Sequence, residues 1–223
     1  MTRGNIVVFE DHHVDQARPI TLTRPAFSVT GAAGYRLDEI IQEHFDLPTR
    51  YVARDYLASL VDKKYAKAPM LPDAPTLLVN ASLWPDVQYV SPLQELLEKG
   101  ENMMMTSDQR IAVAVVHPDI DVPELGTNDI SSWLLGLGLP LRESKFATID
   151  YPFHIVPMLY ETFPDNLSAR IAQGNYREIQ DGVFVGKDVT IGQYVVFHTE
   201  EGPIVLDDDV KITDFNYLQG PVY

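Results

Sequence analysis

The sequence predicts an α/β domain over residues 1–175 followed by the opening coils of a parallel β-helix over residues 176–223. Three observations predict this. Asn5–Phe9 and Thr76–Asn80 are continuous apolar runs that read as strands buried on both faces, as in a parallel sheet. Segments with helical spacing of apolar residues lie between such runs, the mark of an α/β domain. From Val185 onward an aliphatic or aromatic residue returns every six positions: Val185, Ile191 and Phe197, then Leu206, Ile212 and Leu218 after a slip at Gly202–Val205. That is the hexapeptide period of a β-helix. Each unit forms one face of a triangular coil, and its recurring apolar residue stacks on a counterpart one coil away. The glycine or aspartate after it permits the corner. A meander of short strands would alternate with period two and would not hold this phase.

The elements follow in order. After the strand Asn5–Phe9 comes a loop from Glu10 to Ala33. Leu37, Ile40 and Ile41 at helical spacing predict a helix over Gly34–His44. Tyr51–Ala53 is a short strand. Asp55 is placed to cap a helix over Tyr56–Tyr65, with Leu57, Leu60 and Val61 on one face. Ala68–Pro75 holds three prolines and reads as a loop, Thr76–Asn80 is the third strand, and Pro92–Lys99 is a short helix with proline in its first turn. Asn102–Thr106 and Arg110–Val116 form a hairpin through Ser107-Asp108-Gln109, and Met103–Met105 belongs to the core. Asp129–Leu135 is a helix bounded by Gly136. Tyr151–Tyr160 and Pro164–Ala172 read as helical pieces interrupted by prolines. Gly174 begins the link to the repeat.

Composition narrows the function. A net charge of −15 argues against binding a nucleic-acid duplex, whose phosphates need a basic stripe. It leaves a nucleotide open, because one phosphate group needs only a local guanidinium. The chain has no cysteine, which excludes thiol catalysis, disulfides and thiolate metal sites. No apolar run approaches the roughly 20 residues of a membrane span. With no signal-peptide pattern at the start, a cytoplasmic protein is expected.

Ligands of open α/β sheets bind beyond the carboxyl ends of the strands, so the loop after the first strand is the first candidate site. It contains Arg18-Pro19 and Arg24-Pro25, two arginines six residues apart. Each proline pushes the arginine before it toward an extended conformation. A stiffened guanidinium recognises phosphate at low entropic cost. The plain alternative is that both arginines are solvated and pair with nearby acids.

Residues 18–31, Arg-Pro-Ile-Thr-Leu-Thr-Arg-Pro-Ala-Phe-Ser-Val-Thr-Gly, resemble the signature of sugar-1-phosphate nucleotidyltransferases. In that family a first strand leads to a glycine-rich loop, then Arg-x-x-Pro-Leu-Thr, then Pro-Lys, then a glycine before a helix. Phe9-Glu10-Asp11 and Ile20-Thr21-Leu22-Thr23-Arg24-Pro25 are similar to the opening of a divergent branch. That branch resembles the bifunctional N-acetylglucosamine-1-phosphate uridylyltransferase/glucosamine-1-phosphate acetyltransferase, which joins such a domain to a hexapeptide β-helix. Residues 1–45 and 180–223 carry the resemblance. It implies a nucleotide-diphospho-sugar transferase-like three-layer sandwich and the first coils of a left-handed parallel β-helix. It also implies nucleotidyl transfer from a nucleoside triphosphate to a sugar 1-phosphate, with Mg²⁺. Arg18 and Arg24 would be catalytic; Asp11, Thr21 and Thr23 would bind nucleotide or phosphate; Asn80 would contact sugar or base. Asp11 is the one weak metal candidate.

The departures from the family bear on activity. Glu10–Ala17 contains no glycine, so the bare amides that approach a triphosphate are missing. Glu10, Asp11 and Asp15 would repel a triphosphate unless a divalent cation intervenes. Arg24 stands about where the family has its catalytic lysine, and Asn80 about where it has its metal-binding aspartate. A second reading follows: an acyltransferase whose acyl site lies beyond Tyr223, with a degenerate sugar-nucleotide-binding first domain. A third is a non-catalytic sensor.

Other motifs point less far. His12-His13 beside Glu10 and Asp11 suggest metal ligands, a reading weakened because neighbours on an extended chain face opposite sides. Gly31–Gly34 reads as the start of a helix rather than a dinucleotide fingerprint. His198 reads as a corner or surface residue in preference to an acyl-transfer general base, and Asp207–Asp209 as a solvated turn. Residues 185–223 make only about two coils, fewer than the roughly three repeats such folds need. The expectation is a fragment of a longer protein or an open end covered by another subunit, in a homo-oligomer of which a trimer is favoured.

Overall fold

A computed structural model describes residues 3–65, 69–123 and 129–223. Ala68, where the predicted proline-rich loop begins, lies outside the described residues. The chain divides into two compact units. One comprises Met1–Gly31 and Tyr35–Met158, the other Ala32–Gly34 and Leu159–Tyr223.

The first unit is built on a six-stranded sheet. Its elements are β1 (Asn5–Phe9), α1 (Leu37–His44), β2 (Thr49–Val52), α2 (Asp55–Lys64), β3 (Thr76–Asn80) and α3 (Val90–Lys99). β4 (Met103–Ser107), β5 (Arg110–Val116), α4 (Asp129–Gly136) and β6 (Leu141–Glu143) complete it. The strand order is β2-β1-β3-β5-β4-β6. β2 and β3 run parallel to β1, β5 is antiparallel to both β3 and β4, and β6 is parallel to β4. The sheet is therefore mixed, with β5 alone reversed. The carboxyl ends of the other strands and the amino end of β5 share one edge.

Alternation along the strands divides the core. Ile6, Val8, Leu77, Val79, Val113 and Val115 face one way, toward Leu37 and Ile41 of α1, Leu57 and Val61 of α2, and Leu93 and Leu97 of α3. Val7, Phe9, Leu78, Ala114 and Val116 face the other way, toward Ile130 and Leu134 of α4. Helices thus cover both faces, which is why β1 and β3 are apolar throughout. At the β4–β5 hairpin Asp108 (φ 45°) and Gln109 (φ 69°) are both left-handed. That is the two-residue turn whose twist matches the paired strands.

Some local expectations change. Asp55 is the first helical residue of α2 and Arg54 occupies the cap position, without a side-chain cap bond. The two proline-interrupted pieces are one helix, α5 (Ile155–Gln173), with Pro164 inside it. Pro164 lacks an N–H, so one intrahelical bond is missing; its own carbonyl accepts from the Ser168 hydroxyl at 2.8 Å. β6 has too few residues and too little burial to show in the pattern.

In the second unit Asn166, fully buried, donates to the Ala32 carbonyl at 3.2 Å. The chain then runs through β7 (Arg177–Gln180), β8 (Val183–Val185), β9 (Thr190–Ile191), β10 (Val196–His198), β11 (Ile204–Leu206), β12 (Lys211–Ile212) and β13 (Tyr217–Gln219). β8 pairs with β11, β9 with β12 and β10 with β13, all parallel. Their registers place Val185 beside Leu206, Ile191 beside Ile212 and Phe197 beside Leu218, the six residues that carry the hexad period. Val183, Val185, Ile204 and Leu206 form the buried centre, and the other apolar positions pack on it.

The corners are made differently from the expectation. The left-handed residues between β7 and β13 are Gly182, Asp188, Tyr194, Asp209 and Phe215. Gly186 and Gly192 are there because the chain comes close: a Cβ would stand 2.3 Å from Asp208 Oδ1 at the first and 2.4 Å from Asp214 Oδ1 at the second. Those carboxylates accept from the Lys187 amide (2.6 Å) and the Gln193 amide (2.7 Å), tying one turn of chain to the next.

Candidate active site

The carboxyl edge of the sheet is held by a buried polar network. Asp11 follows β1, Asn80 ends β3 and Arg110 opens β5. Arg110 Nε donates to Asp11 Oδ2 at 2.7 Å and its Nη2 to Asp11 Oδ1 at 2.5 Å. Nη2 also reaches Ser82 Oγ at 2.8 Å, while Nη1 reaches the Ile149 carbonyl at 3.3 Å and Asp150 Oδ1 at 2.6 Å. These five bonds use the whole donor capacity of the guanidinium. Asn80 Nδ2 donates to Asp11 Oδ2 and to the Ile111 carbonyl, both at 2.8 Å, and Asn80 Oδ1 accepts from the Ser82 amide at 2.9 Å. Burial pushes the Asp11 carboxyl up. The hydrogen bonds and charge of Arg110, helped by Asn80 and His13, outweigh burial and hold it below its ordinary value.

A second buried pair fixes the arginine-proline loop. Glu10, fully buried, accepts from Arg54 Nε at 3.0 Å and the Arg54 amide at 2.9 Å through Oε2, and from the Ala26 amide at 2.8 Å through Oε1. Arg54 Nη2 donates to the Thr21 carbonyl at 2.6 Å and the Arg24 carbonyl at 3.1 Å, and the Tyr56 hydroxyl to the Leu22 carbonyl at 3.0 Å. The backbone from Thr21 to Ala26 is thereby pinned from below. The Thr21 hydroxyl turns inward to the Val14 carbonyl at 2.9 Å. Thr23 and Arg24 are exposed. The Arg24 guanidinium has no partner among the described residues. Arg18 is extended (φ −65°, ψ 148°), as the following proline requires, and pairs with Asp15 at 2.8 Å.

Glu10 and Asp11, expected to repel a triphosphate, instead turn inward and are neutralised by Arg54 and Arg110. Sequence reasoning passed over both arginines. Arg54 stands just past a predicted strand, so its position was a usable signal. Arg110 opens a reversed strand, and strand direction is not written in local sequence.

Beside the Asp11–Arg110 pair lies a cleft of about 440 Å³. His12, His13, Gln109, Ser131, Leu135, Leu141, Arg142 and Glu143 contribute to its wall. The histidines sit in a 3-10 turn over His12–Ala17 capped by Asp11, whose Oδ1 accepts from the His13 amide at 3.0 Å. The turn brings their rings to 4.0 Å, centroid to centroid, where an extended chain would have separated them. Arg18 and Arg24 do not line this cleft.

The sequence pattern of the sugar nucleotidyl transferase family matches residues 6–168. The chain belongs to that family. No curated protein matches the sequence. Among solved structures, one described as a glucose-1-phosphate thymidylyltransferase from Bacillus anthracis in complex with sucrose is similar over 79% of this chain and 98% of that chain. Its identity is 9% and its TM-score 0.29, at which the likeness carries no argument. The family match carries nucleotidyl transfer to a sugar phosphate and not acyl transfer. The stretch matched contains the buried network, the pinned loop and the cleft.

The carboxylates of Asp11 and Glu10 are committed to arginines. The magnesium ion implied by resemblance needs oxygen ligands with free lone pairs. Both Asp11 oxygens are engaged by Arg110, and the guanidinium charge would oppose a cation. Among the described residues no group of three or more His, Asp or Glu is placed to hold a metal. Asp11, the one candidate ligand, does not fit a protein-held Mg²⁺. Among the described residues no helix is long and apolar enough to cross a membrane.

Proposed function

We propose that this sugar nucleotidyl transferase joins a nucleoside triphosphate to a sugar 1-phosphate, giving a nucleotide sugar and pyrophosphate. The observation that carries this reading is the loop pinned by Glu10 and Arg54, which fixes the backbone at Arg24 while leaving its guanidinium exposed and unpaired among the described residues. A phosphate oxygen of the sugar 1-phosphate attacks the α-phosphorus, and the bond to the bridging oxygen of the β-phosphate breaks. Pyrophosphate leaves with the electron pair. Such transfer is mostly positioning and charge neutralisation.

Arg24 supplies positive charge to the phosphates. Arg18 joins it on exchanging Asp15 for substrate, and the exposed Thr23 hydroxyl adds a donor. Amides that a glycine loop would offer are used internally here, as in Val14 N to Asp11 O and Arg18 N to Asp15 O. Charge must therefore come from side chains. Asp11, Thr21 and Asn80 act at one remove, by holding the loop and the strand ends in place.

The chemistry lies in residues 1–175. We read residues 176–223 as the first coils of a left-handed parallel β-helix, as in the branch resembling the bifunctional uridylyltransferase/acetyltransferase. Three short parallel pairs with stacked apolar residues support that reading. A cytoplasmic homo-oligomer, a trimer by preference, goes with it and is open to sedimentation analysis.

The test is pyrophosphate release across a panel of nucleoside triphosphates and sugar 1-phosphates. Arg24→Ala should lose roughly 10²–10³-fold in kcat with the circular dichroism spectrum unchanged, the scale for removing one preorganised charge donor. Wild-type protein that releases no pyrophosphate with any pair, or an unimpaired Arg24→Ala variant, would overturn the proposal.

A further inference from the structure

β5 is the reversed strand of its sheet, so its first residue, Arg110, stands at the carboxyl edge of the others. Five oxygens converge there on one guanidinium: both carboxylate oxygens of Asp11, Oδ1 of Asp150, the Ser82 hydroxyl and the Ile149 carbonyl. They come from separate segments, after β1, after β3 and after β6. Carboxylates and a backbone carbonyl are the donors that hard divalent cations take. Here a guanidinium fills their centre, with a charge that no working pH removes. Asn80 fits a centre whose cation is already in place. Its Nδ2 points at Asp11 Oδ2, and the Ile111 carbonyl and the Ser82 amide hold that orientation. A residue sharing a metal ion with Asp11 would turn an oxygen inward instead.

We propose that Arg110 is the resident cation of this edge: it takes the place of a divalent metal between Asp11 and Asp150 and fixes the strand ends without one. An ion bound from solution exchanges, and its occupancy follows its concentration. A guanidinium carried by β5 is tied to the chain and is in place whenever the sheet is folded. Its influence extends past the ion pair, because Asp11 also caps the turn over His12–Ala17 that leads into Arg18. Within the proposed reaction Arg110 is therefore a positioning residue, acting on the arginine-proline loop through Asp11 and not on substrate. That role rests on the nucleotidyl-transfer reading; the exchange of arginine for metal does not. An ordinary structural ion pair would respond differently to one perturbation. Removing Arg110 destabilises the protein in either case, but only a cation site lined by oxygens would then accept a divalent ion in its place.

The experiment is thermal unfolding of the full chain at neutral pH, in EDTA and in Mn²⁺, for wild type, Arg110→Ala and Arg110→Ala/Asp11→Asn. Alanine clears room for an ion and its waters. Mn²⁺ at about 1 mM should raise the midpoint of Arg110→Ala by roughly 5–10 °C, the shift for a ligand at about a hundred times its Kd, and move wild type and the double variant by less than about 2 °C. A second measurement needs only stable proteins. Electron paramagnetic resonance of free Mn²⁺ should show that wild type holds no ion that Asp11→Asn gives up. A wild-type Mn²⁺ site lost in Asp11→Asn overturns the assignment. So does an Arg110→Ala variant that Mn²⁺ leaves unmoved or unfolded, and so does a rescue that persists in Arg110→Ala/Asp11→Asn. None of these readouts needs pyrophosphate release. A wild-type protein that never releases pyrophosphate sinks the reaction and spares the resident cation; a metal site at Asp11 in an active wild type does the reverse.

Discussion

Replacing Arg110 with methionine removes five N–H donors from the carboxyl edge of the sheet and keeps most of the apolar stem. Asp11 is then buried with only Asn80 and the His13 amide for company, and Asp150 keeps the Thr148 hydroxyl at 3.2 Å. Side-chain exposures of 4% for Arg110 and 3% for Asp11 leave little room for water to substitute. Breaking a buried pair from one side costs about 3–5 kcal/mol, against a total stability of about 5–15 kcal/mol for a typical protein. The upper half of that cost is expected here, because the Ser82 hydroxyl and Ile149 carbonyl lose partners too. Urea unfolding at pH 7 should show it. The pH dependence has a definite sign. In the wild type the folded Asp11 pKa is lowered, so its contribution is complete above the unfolded value near 3.8 and is lost as pH falls through the folded one. In the variant burial is opposed only by Asn80 and His13 and the folded pKa rises, so stability is lost as pH climbs through it. The gap between the two proteins should therefore be widest at neutral pH and narrow toward pH 4. Asp11→Asn combined with Arg110→Met should recover part of the loss, with a coupling of about 2 kcal/mol. A single variant within about 0.5 kcal/mol of wild type, or a gap that widens on acidification, would refute the assignment of this pair as the keystone of the edge.

Further outcomes follow from the same geometry. Glu10→Ala should leave Arg54 buried without its carboxylate and free the Thr21–Ala26 backbone, seen as faster amide hydrogen exchange across that loop and a loss of about 3 kcal/mol or more in stability. Gly186→Ala and Gly192→Ala should each destabilise the second unit by about 1–3 kcal/mol, because the new Cβ meets backbone as well as carboxylate atoms of the next turn; thermal unfolding followed by circular dichroism would measure it. Tyr65→Phe removes the hydroxyl that donates to the buried Asp38 Oδ2 at 2.5 Å and should cost about 1.5–3 kcal/mol, the range for a bond to a charged acceptor.

Strands buried on both faces left a plain trace in the sequence, and β1 and β3 begin and end where the apolar runs do. Helix starts were blurred by one or a few residues, as at α2, where Arg54 holds the cap position although its guanidinium has no acceptor with which to cap. On either side of Gly202–Val205 the apolar residues six apart lie beside one another in parallel pairs. The site was less legible. His12 and His13 looked divergent on an extended chain and became neighbours in a 3-10 turn. Asp11, expected as a ligand contact, accepts hydrogen bonds from both Arg110 and Asn80.

By itself the sequence determined the apolar periodicities, the stiff arginine-proline loop, the absent glycine cradle and the absence of thiols. Those are properties of neighbours along the chain, settled by local sterics and by which faces must leave water. Only the tertiary structure decided that Glu10 and Asp11 are buried and neutralised, that Arg110 closes the strand ends, and that a cleft opens between α4 and β6. These facts depend on the direction of β5 and on charges brought together across 44 and 99 residues of sequence. Pairing at that distance depends on how the whole chain is wound, which no local stretch of residues specifies.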